Sequence, residues 1–181
     1  MKPKKNAIEI PTGGKTLLLV RHAKSDWQDA SLDDFDRPLN ERGKKDAPFM
    51  AQRMLNSKVP IDLFITSPAR RARKTAKIFA KVYGRKKDEI VLRDELYLAG
   101  QEVFFDTVSH TADQFNHLAI FSHNPGITYF ANELTNARID NIPTCGIFAV
   151  KAQCNSWAEF REAPKEFWFF DFPKQLPATP V

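Results

Sequence analysis

Short apolar runs that end in polar or charged residues predict a series of buried strands along this chain. The first run, Thr16–Val20, ends in four consecutive aliphatic residues, a pattern typical of a strand buried on both faces of a parallel sheet. Residues 62–66 and 117–121 repeat the pattern and predict two more such strands. Between these two, apolar positions recur at helical spacing over residues 68–83, and Gly84 is a typical residue to end that helix.

The rest of the pattern predicts further helices and a C-terminal region rich in strands. Helices are expected over residues 41–57, 101–108 and 126–134, and strands over residues 90–92, 146–152, 157–163 and 166–172. Asn40 is a favourable N-cap for the first of these helices, and Pro48 predicts a kink or a late start in it. Ser67 or its neighbour is expected to cap the helix at 68–83. The short strand at 90–92 is expected near an edge of the sheet.

Strands that alternate with helices are typical of the α/β class, and the C-terminal strands are expected to join the sheet in antiparallel orientation. The chain contains no internal repeat and no low-complexity linker. We therefore predict a single domain over residues 15–172, with a loose lead-in at 1–14 and a frayed tail at 173–181.

Each of the three buried strands is followed by residues that can bind an anion. Arg21 and His22 follow the first strand, Arg70 and Arg71 come shortly after the second, and His123 follows the third. In open α/β sheets, ligands bind beside the carboxyl ends of the strands, so these side chains are expected to converge. Arg21 and His22 alone could equally be structural. Three such groups at one edge indicate a site for a compact anion, and phosphate is the best candidate.

The composition is that of an ordinary soluble globular protein, with 43% hydrophobic and 27% charged residues in a chain of 181. Its two cysteines, Cys145 and Cys154, provide neither a disulfide framework nor a metal-ligand spacing, and we expect no metal and no cofactor. The charged start is not followed by the apolar segment of a signal peptide. No apolar run reaches the roughly 18 residues that span a membrane. We therefore expect a cytoplasmic protein with no membrane partner.

The formal net charge is +5, from 27 basic and 22 acidic residues, which favours anionic partners in general. Basic residues are densest between Arg70 and Lys77, inside the helix predicted over 68–83. This run lacks interleaved aromatic residues and any recognised nucleic-acid-binding module. Nucleic acid is therefore not an expected partner.

Three short motifs resemble, in order and spacing, the signature of the histidine phosphatase superfamily: Arg21-His22-Ala23, Ser67-x-x-x-Arg71-Ala72-x-x-Thr75 and Ser122-His123. Two longer strings look most like its small SixA-type phosphohistidine phosphatase branch: Arg21-His22-Ala23-Lys24-Ser25-Asp26-Trp27 and Arg37-Pro38-Leu39-Asn40-x-x-Gly43. The resemblance covers about residues 16–128. It implies a three-layer α/β/α sandwich with a mostly parallel central sheet, similar to that of phosphoglycerate mutase.

The resemblance also implies roles for individual residues. The nucleophile would be His22, and the phosphate ligands would be Arg21, Arg71, His123 and the adjacent Asn124. The register of the second motif selects Arg71 and leaves Arg70 as a solvated neighbour.

Two positions need separate treatment. The first motif usually ends in glycine in this family, whereas this chain has Ala23, which implies an ordinary φ and a slightly tighter pocket. Glu95 lies where many family members carry an acidic proton donor, so it is the candidate general acid, with an exposed surface carboxylate as the alternative.

Phosphoryl transfer requires mainly positioning and positive charge around the phosphoryl oxygens, and arginines supply this charge without a metal. His22 would attack as a neutral imidazole and form a phosphohistidine that water hydrolyses. The segment 85–116 is too short for a large cap domain, so we expect an open pocket that suits a phosphorylated side chain on another protein.

We therefore predict a monomeric, metal-independent phosphatase that removes phosphate from phosphohistidine on a phosphotransfer protein. The alternatives are a phosphatase of the same fold that acts on small phosphomonoesters and, less favoured, a non-enzymatic anion-binding domain.

Overall fold

A six-stranded mixed sheet forms the centre of the protein in the computed structural model, which describes residues 14–175. The strands are β1 (Lys15–Arg21), β2 (Leu63–Thr66), β3 (Ile90–Leu92), β4 (His117–Ser122), β5 (Ile147–Ala152) and β6 (Lys165–Asp171). Their order is β3-β2-β4-β1-β5-β6. The first four strands pair in parallel, and β5 and β6 add antiparallel pairs at one side. The predicted edge position of β3 and the antiparallel C-terminal strands are confirmed.

Four helices cover the two faces of this sheet: α1 (Glu41–Asn56), α2 (Arg70–Val82), α3 (Gln101–Ser109) and α4 (Gly126–Leu134). Short 3-10 turns lie at Asp34–Asp36, Lys87–Glu89, Asp94–Leu96 and Trp157–Glu159. Apolar side chains of α1 and α2 form one core with the sheet, and those of α3 and α4 form a second core. The predicted three-layer α/β/α sandwich is therefore confirmed.

Strand β1 separates these two cores, as its sequence predicts. Leu17 and Leu19 contribute to the core under α3 and α4, whereas Leu18 and Val20 contribute to the core under α1 and α2. All four side chains are fully buried. Since burying one such side chain stabilises a fold by roughly 1.5–3 kcal/mol, β1 anchors the segment that leads into Arg21.

The start of α1 agrees with its predicted capping, because the Asn40 side chain accepts a hydrogen bond from the Gly43 amide at 2.9 Å. A side chain at Gly43 would collide with the Lys24 backbone, so glycine allows the helix start to pack against the loop after β1. Pro48 lies inside α1, and because the cap places the first turn upstream of Pro48 the late start is excluded, whereas the kink stays a prediction. Gly84 ends α2 with a φ of 71°, as predicted.

Two predicted elements differ from the structure. Trp157–Glu159 is a 3-10 turn and not part of a strand, because Ser156 caps this turn and the fully buried Trp157 donates its ring N–H to the Phe115 carbonyl at 2.8 Å. Helix α2 begins at Arg70 without a side-chain cap, so the predicted cap by Ser67 or its neighbour is wrong. The Ser67 hydroxyl instead accepts from the Ala69 amide and contacts His123.

The predicted lead-in and tail lie mostly outside the described residues. Within residues 14–175, none of the helices is long and apolar enough to cross a membrane.

Candidate active site

The three predicted anion-binding segments meet at one edge of the sheet. Arg21 pairs with Ser122 in the register of β1 and β4, and the His22 amide donates to the Ser122 carbonyl at 3.1 Å. Thr66, the last residue of β2, lies opposite Phe121 in β4. The strand ends enclose a pocket of about 350 Å³, lined by Arg21, His22, Lys24, Ser25, Trp27, Asp34, Arg37, Arg71, Tyr97, Leu98, His123, Asn124 and Thr144.

His22 is held in one tautomer by a contact with its neighbour. Its Nδ1 lies 2.8 Å from the Ala23 carbonyl oxygen, and because a carbonyl can only accept, Nδ1 carries the proton. Nε2 therefore keeps its lone pair, and the Arg71 Nε–H donates to it at 3.3 Å. The ring is 7% exposed. Burial, together with the positive charges of Arg71 and Arg21, lowers the pKa of His22 to about 3.

Helix α2 presents Arg71, and not Arg70, to this pocket. Arg71 is 3% exposed, whereas Arg70 is exposed and donates to the Asp36 carbonyl at 3.3 Å. The backbone next to His22 is fixed to the same helix, because the Ala23 amide donates to the Thr75 hydroxyl at 3.0 Å and this hydroxyl donates to the Arg71 carbonyl at 2.8 Å. The motif residues Ala23 and Thr75 thus connect the end of β1 to the helix that carries the arginine.

Ala23 itself is fully buried and is absent from the positive-φ positions found within residues 14–175. The ordinary φ predicted for this departure from the family's glycine is therefore confirmed.

Arg21 also lines the pocket and is anchored by a backbone carbonyl. Its Nη1 donates to the Ile142 carbonyl at 2.8 Å. Its Nε is buried and has no hydrogen-bond partner among the described residues. Burial, and to a lesser degree the charge of Arg71, lowers the pKa of Arg21 from its usual value. The two arginines therefore supply concentrated positive charge that is only partly neutralised.

His123 completes the group around His22. The two ring centroids lie 5.1 Å apart, and the His123 Nε2 lies 2.8 Å from the Ser67 hydroxyl. Nδ1 is buried and unpartnered within the part of the chain that the structure describes. Burial, with repulsion from His22 and Arg71, lowers the pKa of His123 to about 3. His123 is therefore neutral at pH 7 in the free protein, and its imidazole can offer hydrogen bonds but no positive charge.

Asn124 also lines the pocket, but its side chain is already engaged. Its amide nitrogen donates to the Ile142 carbonyl at 3.1 Å, and its oxygen accepts from the Thr128 hydroxyl at 2.7 Å. Arg21 donates to the same Ile142 carbonyl. Asn124 therefore helps to hold in place the backbone group that anchors Arg21.

Glu95 does not reach the pocket, so its predicted role as proton donor is not supported by its position. It lies in the 3-10 turn Asp94–Leu96, in which Leu96 is fully buried and Glu95 is exposed. The Ser122 hydroxyl donates to the Leu96 carbonyl at 2.9 Å, and this anchor directs the next residue, Tyr97, towards the pocket. Glu95 faces a separate surface depression that it shares with Asp106.

Among the pocket residues to which the sequence assigned no role, three are joined in one hydrogen-bonded group with Arg71: Asp34, Arg37 and Tyr97. The Asp34 carboxylate accepts from Arg71 Nη2 at 2.8 Å and from the Tyr97 hydroxyl at 2.7 Å, and Arg37 Nε donates to its other oxygen at 3.1 Å. Although partial burial raises the pKa of Asp34, the hydrogen bonds from Tyr97 and Arg71 dominate and hold it at about 2. A carboxylate ionised at neutral pH cannot donate a proton to a leaving group.

Of these three residues, only Arg37 belongs to a family-like string, Arg37-Pro38-Leu39-Asn40-x-x-Gly43, and that resemblance assigned it no role. Arg37 is 7% exposed, and its guanidinium carbon lies 3.3 Å from the centroid of the Trp27 ring. Trp27 is 70% exposed and Leu98 is 62% exposed. These two side chains therefore form an apolar rim around a strongly basic pocket.

No group of three or more potential metal-ligating side chains occurs within residues 14–175. The chemistry available at this edge of the sheet is that of a neutral imidazole with an unprotonated Nε2, close to several guanidinium groups. The fold and the site thus define an α/β protein with a basic pocket built around a buried, neutral histidine at the carboxyl ends of its parallel strands.

Comparison with known proteins identifies the family. Residues 17–97 match the histidine phosphatase superfamily (branch 1). An uncharacterized chloroplastic protein of Arabidopsis thaliana is 32% identical over 153 residues, which cover 80% of this chain and 70% of that protein. The 2,3-bisphosphoglycerate-dependent phosphoglycerate mutase 1 of the same plant is 37% identical over 81 residues, but these cover 44% of this chain and only 24% of the mutase. The chain belongs to the histidine phosphatase superfamily.

Solved structures share the fold over nearly their whole length. A proposed SixA phosphohistidine phosphatase of Agrobacterium tumefaciens superimposes with a TM-score of 0.74 at 24% identity, covering 87% of this chain and 97% of that one. The protein histidine phosphatase SixA in complex with tungstate gives a TM-score of 0.74 at 20% identity, with the same coverage of both chains.

Proposed function

We propose that this member of the histidine phosphatase superfamily is a phosphatase that uses His22 as its nucleophile. The observation that carries the proposal is the His22 tautomer. Nδ1–H donates to the Ala23 carbonyl, and the unprotonated Nε2 lies in a basic pocket, where it accepts a hydrogen bond from Arg71 that an incoming phosphoryl group has to displace. The pKa of about 3 keeps the imidazole neutral at pH 7, so no general base has to deprotonate Nε2.

The reaction follows from these groups. Nε2 of His22 attacks phosphorus and forms a phosphohistidine, while the bond to the leaving group breaks with its electron pair on that group; a substrate phosphohistidine that is protonated on its other ring nitrogen then leaves as a neutral imidazole. Arg21 and Arg71 offset the negative charge on the phosphoryl oxygens in both steps, which is the main catalytic contribution in phosphoryl transfer. Water then attacks the phosphohistidine and releases inorganic phosphate and neutral His22. His123, next to His22, is placed to hydrogen-bond a phosphoryl oxygen.

The substrate we propose is phosphohistidine on another protein, as in the SixA-type branch. Two features support it. The carboxyl group at the pocket, Asp34, is ionised and cannot serve as general acid, which suits an imidazole leaving group because it departs more easily than an alkoxide. The exposed rim of Trp27 and Leu98 offers an apolar surface beyond the phosphoryl group.

Small phosphomonoesters are the second candidate substrates. The similarity of part of this chain to a phosphoglycerate mutase favours them, since that enzyme acts on a phosphorylated small molecule.

A substrate panel separates the two candidates. We expect a phosphohistidine peptide to be hydrolysed with a kcat/KM well above that of 3-phosphoglycerate or p-nitrophenyl phosphate, and His22→Ala to abolish all three activities. Rapid quenching with a ³²P-labelled substrate should trap an acid-labile, base-stable phosphoenzyme in the wild type only. Full activity of a folded His22→Ala protein would show that the nucleophile is wrong, whereas a preference for 3-phosphoglycerate would favour the second candidate.

We also propose that the protein acts as a monomer in the cytoplasm. Sedimentation velocity and fractionation of the source cells test these two points.

A further inference from the structure

A groove between α1 and α2 concentrates positive charge outside the catalytic pocket. It is lined by Pro38, Leu39, Lys44, Arg70, Arg73, Lys74 and Lys77. The four α2 residues of this set occupy positions i, i+3, i+4 and i+7, which form one face of a helix. All four are exposed, while Ala72 and Ala76 on the opposite face are buried.

Within α2 and the segments that flank it in the sequence, this charge has no acidic counterpart, whereas Lys44 on α1 is paired with Glu41. Residues 63–87 contain no aspartate or glutamate, and their basic residues are Arg70, Arg71, Arg73, Lys74, Lys77, Lys81, Arg85, Lys86 and Lys87. Arg73, Lys74 and Lys77 take part in none of the ion pairs found within residues 14–175. Like charges four residues apart destabilise a helix, so this face costs the free protein stability that an acidic ligand would restore.

The groove begins directly beside the active site. Arg70 starts α2 and lines the groove, whereas the next residue, Arg71, points into the catalytic pocket. The loop that precedes α1 contacts both arginines. Arg70 donates to the Asp36 carbonyl, and Arg71 forms an ion pair with Asp34. A molecule that places a phosphoryl group on His22 can therefore extend over this loop onto α2.

We infer that this basic groove docks an acidic surface of the protein whose phosphohistidine enters the catalytic pocket, an inference that rests on the function proposed above. From Arg70 to Lys77 the helix rises about 10 Å, which is longer than a small phosphomonoester needs but suits a protein surface. Among residues 14–175, no aromatic side chain lines the groove, so these residues provide no stacking platform of the kind typical of single-stranded nucleic-acid sites.

Binding without catalysis tests the groove directly. The probe is a fluorescein-labelled peptide of twelve residues rich in Glu and Asp, compared by anisotropy with the same peptide carrying Gln and Asn. Lys74→Gln with Lys77→Gln removes two groove charges, and Lys58→Gln with Lys87→Gln removes two exposed charges elsewhere. We expect the groove variant to weaken binding of the acidic peptide about 3- to 10-fold, and the control variant to change it less than about 2-fold.

The salt dependence of binding, and a comparison with other polyanions, test whether the groove prefers an acidic protein surface. Because exposed charges are screened, binding should weaken strongly from about 20 to about 200 mM NaCl. Equal binding of both peptides, or equal effects of the groove and control variants, would overturn the proposal. A single-stranded RNA or an anionic vesicle that binds the groove more tightly than the acidic peptide would overturn it as well.

Turnover then separates failure of the groove from failure of the proposed function. A phosphohistidine peptide with acidic flanking residues should have a lower KM than one with neutral flanking residues. Lys74→Gln with Lys77→Gln should remove that difference and leave hydrolysis of p-nitrophenyl phosphate unchanged. Peptide binding to the groove without phosphohistidine hydrolysis would contradict the substrate and support the docking surface. Hydrolysis that is independent of the flanks would contradict the docking surface and support the phosphatase.

Discussion

Acid should destabilise this protein through its two active-site histidines. His22 and His123 are 7% and 3% exposed, and each has its pKa lowered from 6.5 to about 3, chiefly because burial disfavours the charged imidazole. Between these pH values the unfolded chain binds more protons than the folded one. The free energy of unfolding must therefore fall as pH decreases from about 6.5 towards 3.

The size of the effect follows from the same pKa values. For one histidine with a pKa of 6.5 unfolded and about 3 folded, lowering the pH from 8 to 5 costs about 2 kcal/mol of stability. The two sites together should cost about 4 kcal/mol, a large part of the stability of a typical domain. Other groups titrate in this range too, so the informative quantity is the difference between wild type and variants.

Urea unfolding at pH 8 and pH 5, in buffers without phosphate, measures this difference. His22→Asn and His123→Asn should each reduce the loss of stability by about 2 kcal/mol, whatever their stability at pH 8. His110→Asn is the control, because the His110 ring is exposed. If the two active-site variants lose as much stability as the wild type between these pH values, the histidines are not held neutral by burial.

Three further predictions concern catalysis. Arg71→Ala should lower kcat about 10²–10³-fold, whereas Arg70→Ala should leave p-nitrophenyl phosphate hydrolysis nearly unchanged; equal losses would mean that the wrong arginine is assigned. Trp27→Ala should raise the KM for a phosphohistidine peptide by a larger factor than it raises the Ki for inorganic phosphate as a product inhibitor, since Trp27 lies at the rim; an effect confined to kcat would contradict this. Activity should survive EDTA, and vanadate should inhibit more strongly than phosphate because it resembles the transition state; rescue of EDTA-treated enzyme by a divalent ion would refute the metal-free mechanism.

The sequence by itself determined the framework and the central residues of the site. An apolar run such as Leu17–Val20 has few ways to avoid water other than as a strand between two layers, so β1 and its neighbours could be predicted from local pattern. The carboxyl ends of parallel strands share one edge, which brought Arg21, His22 and His123 together in the prediction. Motif spacing distinguished Arg71 from Arg70 because only one of two adjacent helical residues can face the sheet edge.

Only the tertiary structure decided the groups around that centre. Asp34 meets Arg71 across 37 positions of sequence, and no local pattern encodes such a contact because it depends on how the loop after β1 folds back on α2. Glu95 lies one position away from the buried Leu96 and faces elsewhere, since a single turn sets the direction of each side chain. The low pKa of His22 likewise arises from burial and from the charges around it, and these exist only once distant segments of the chain have packed together.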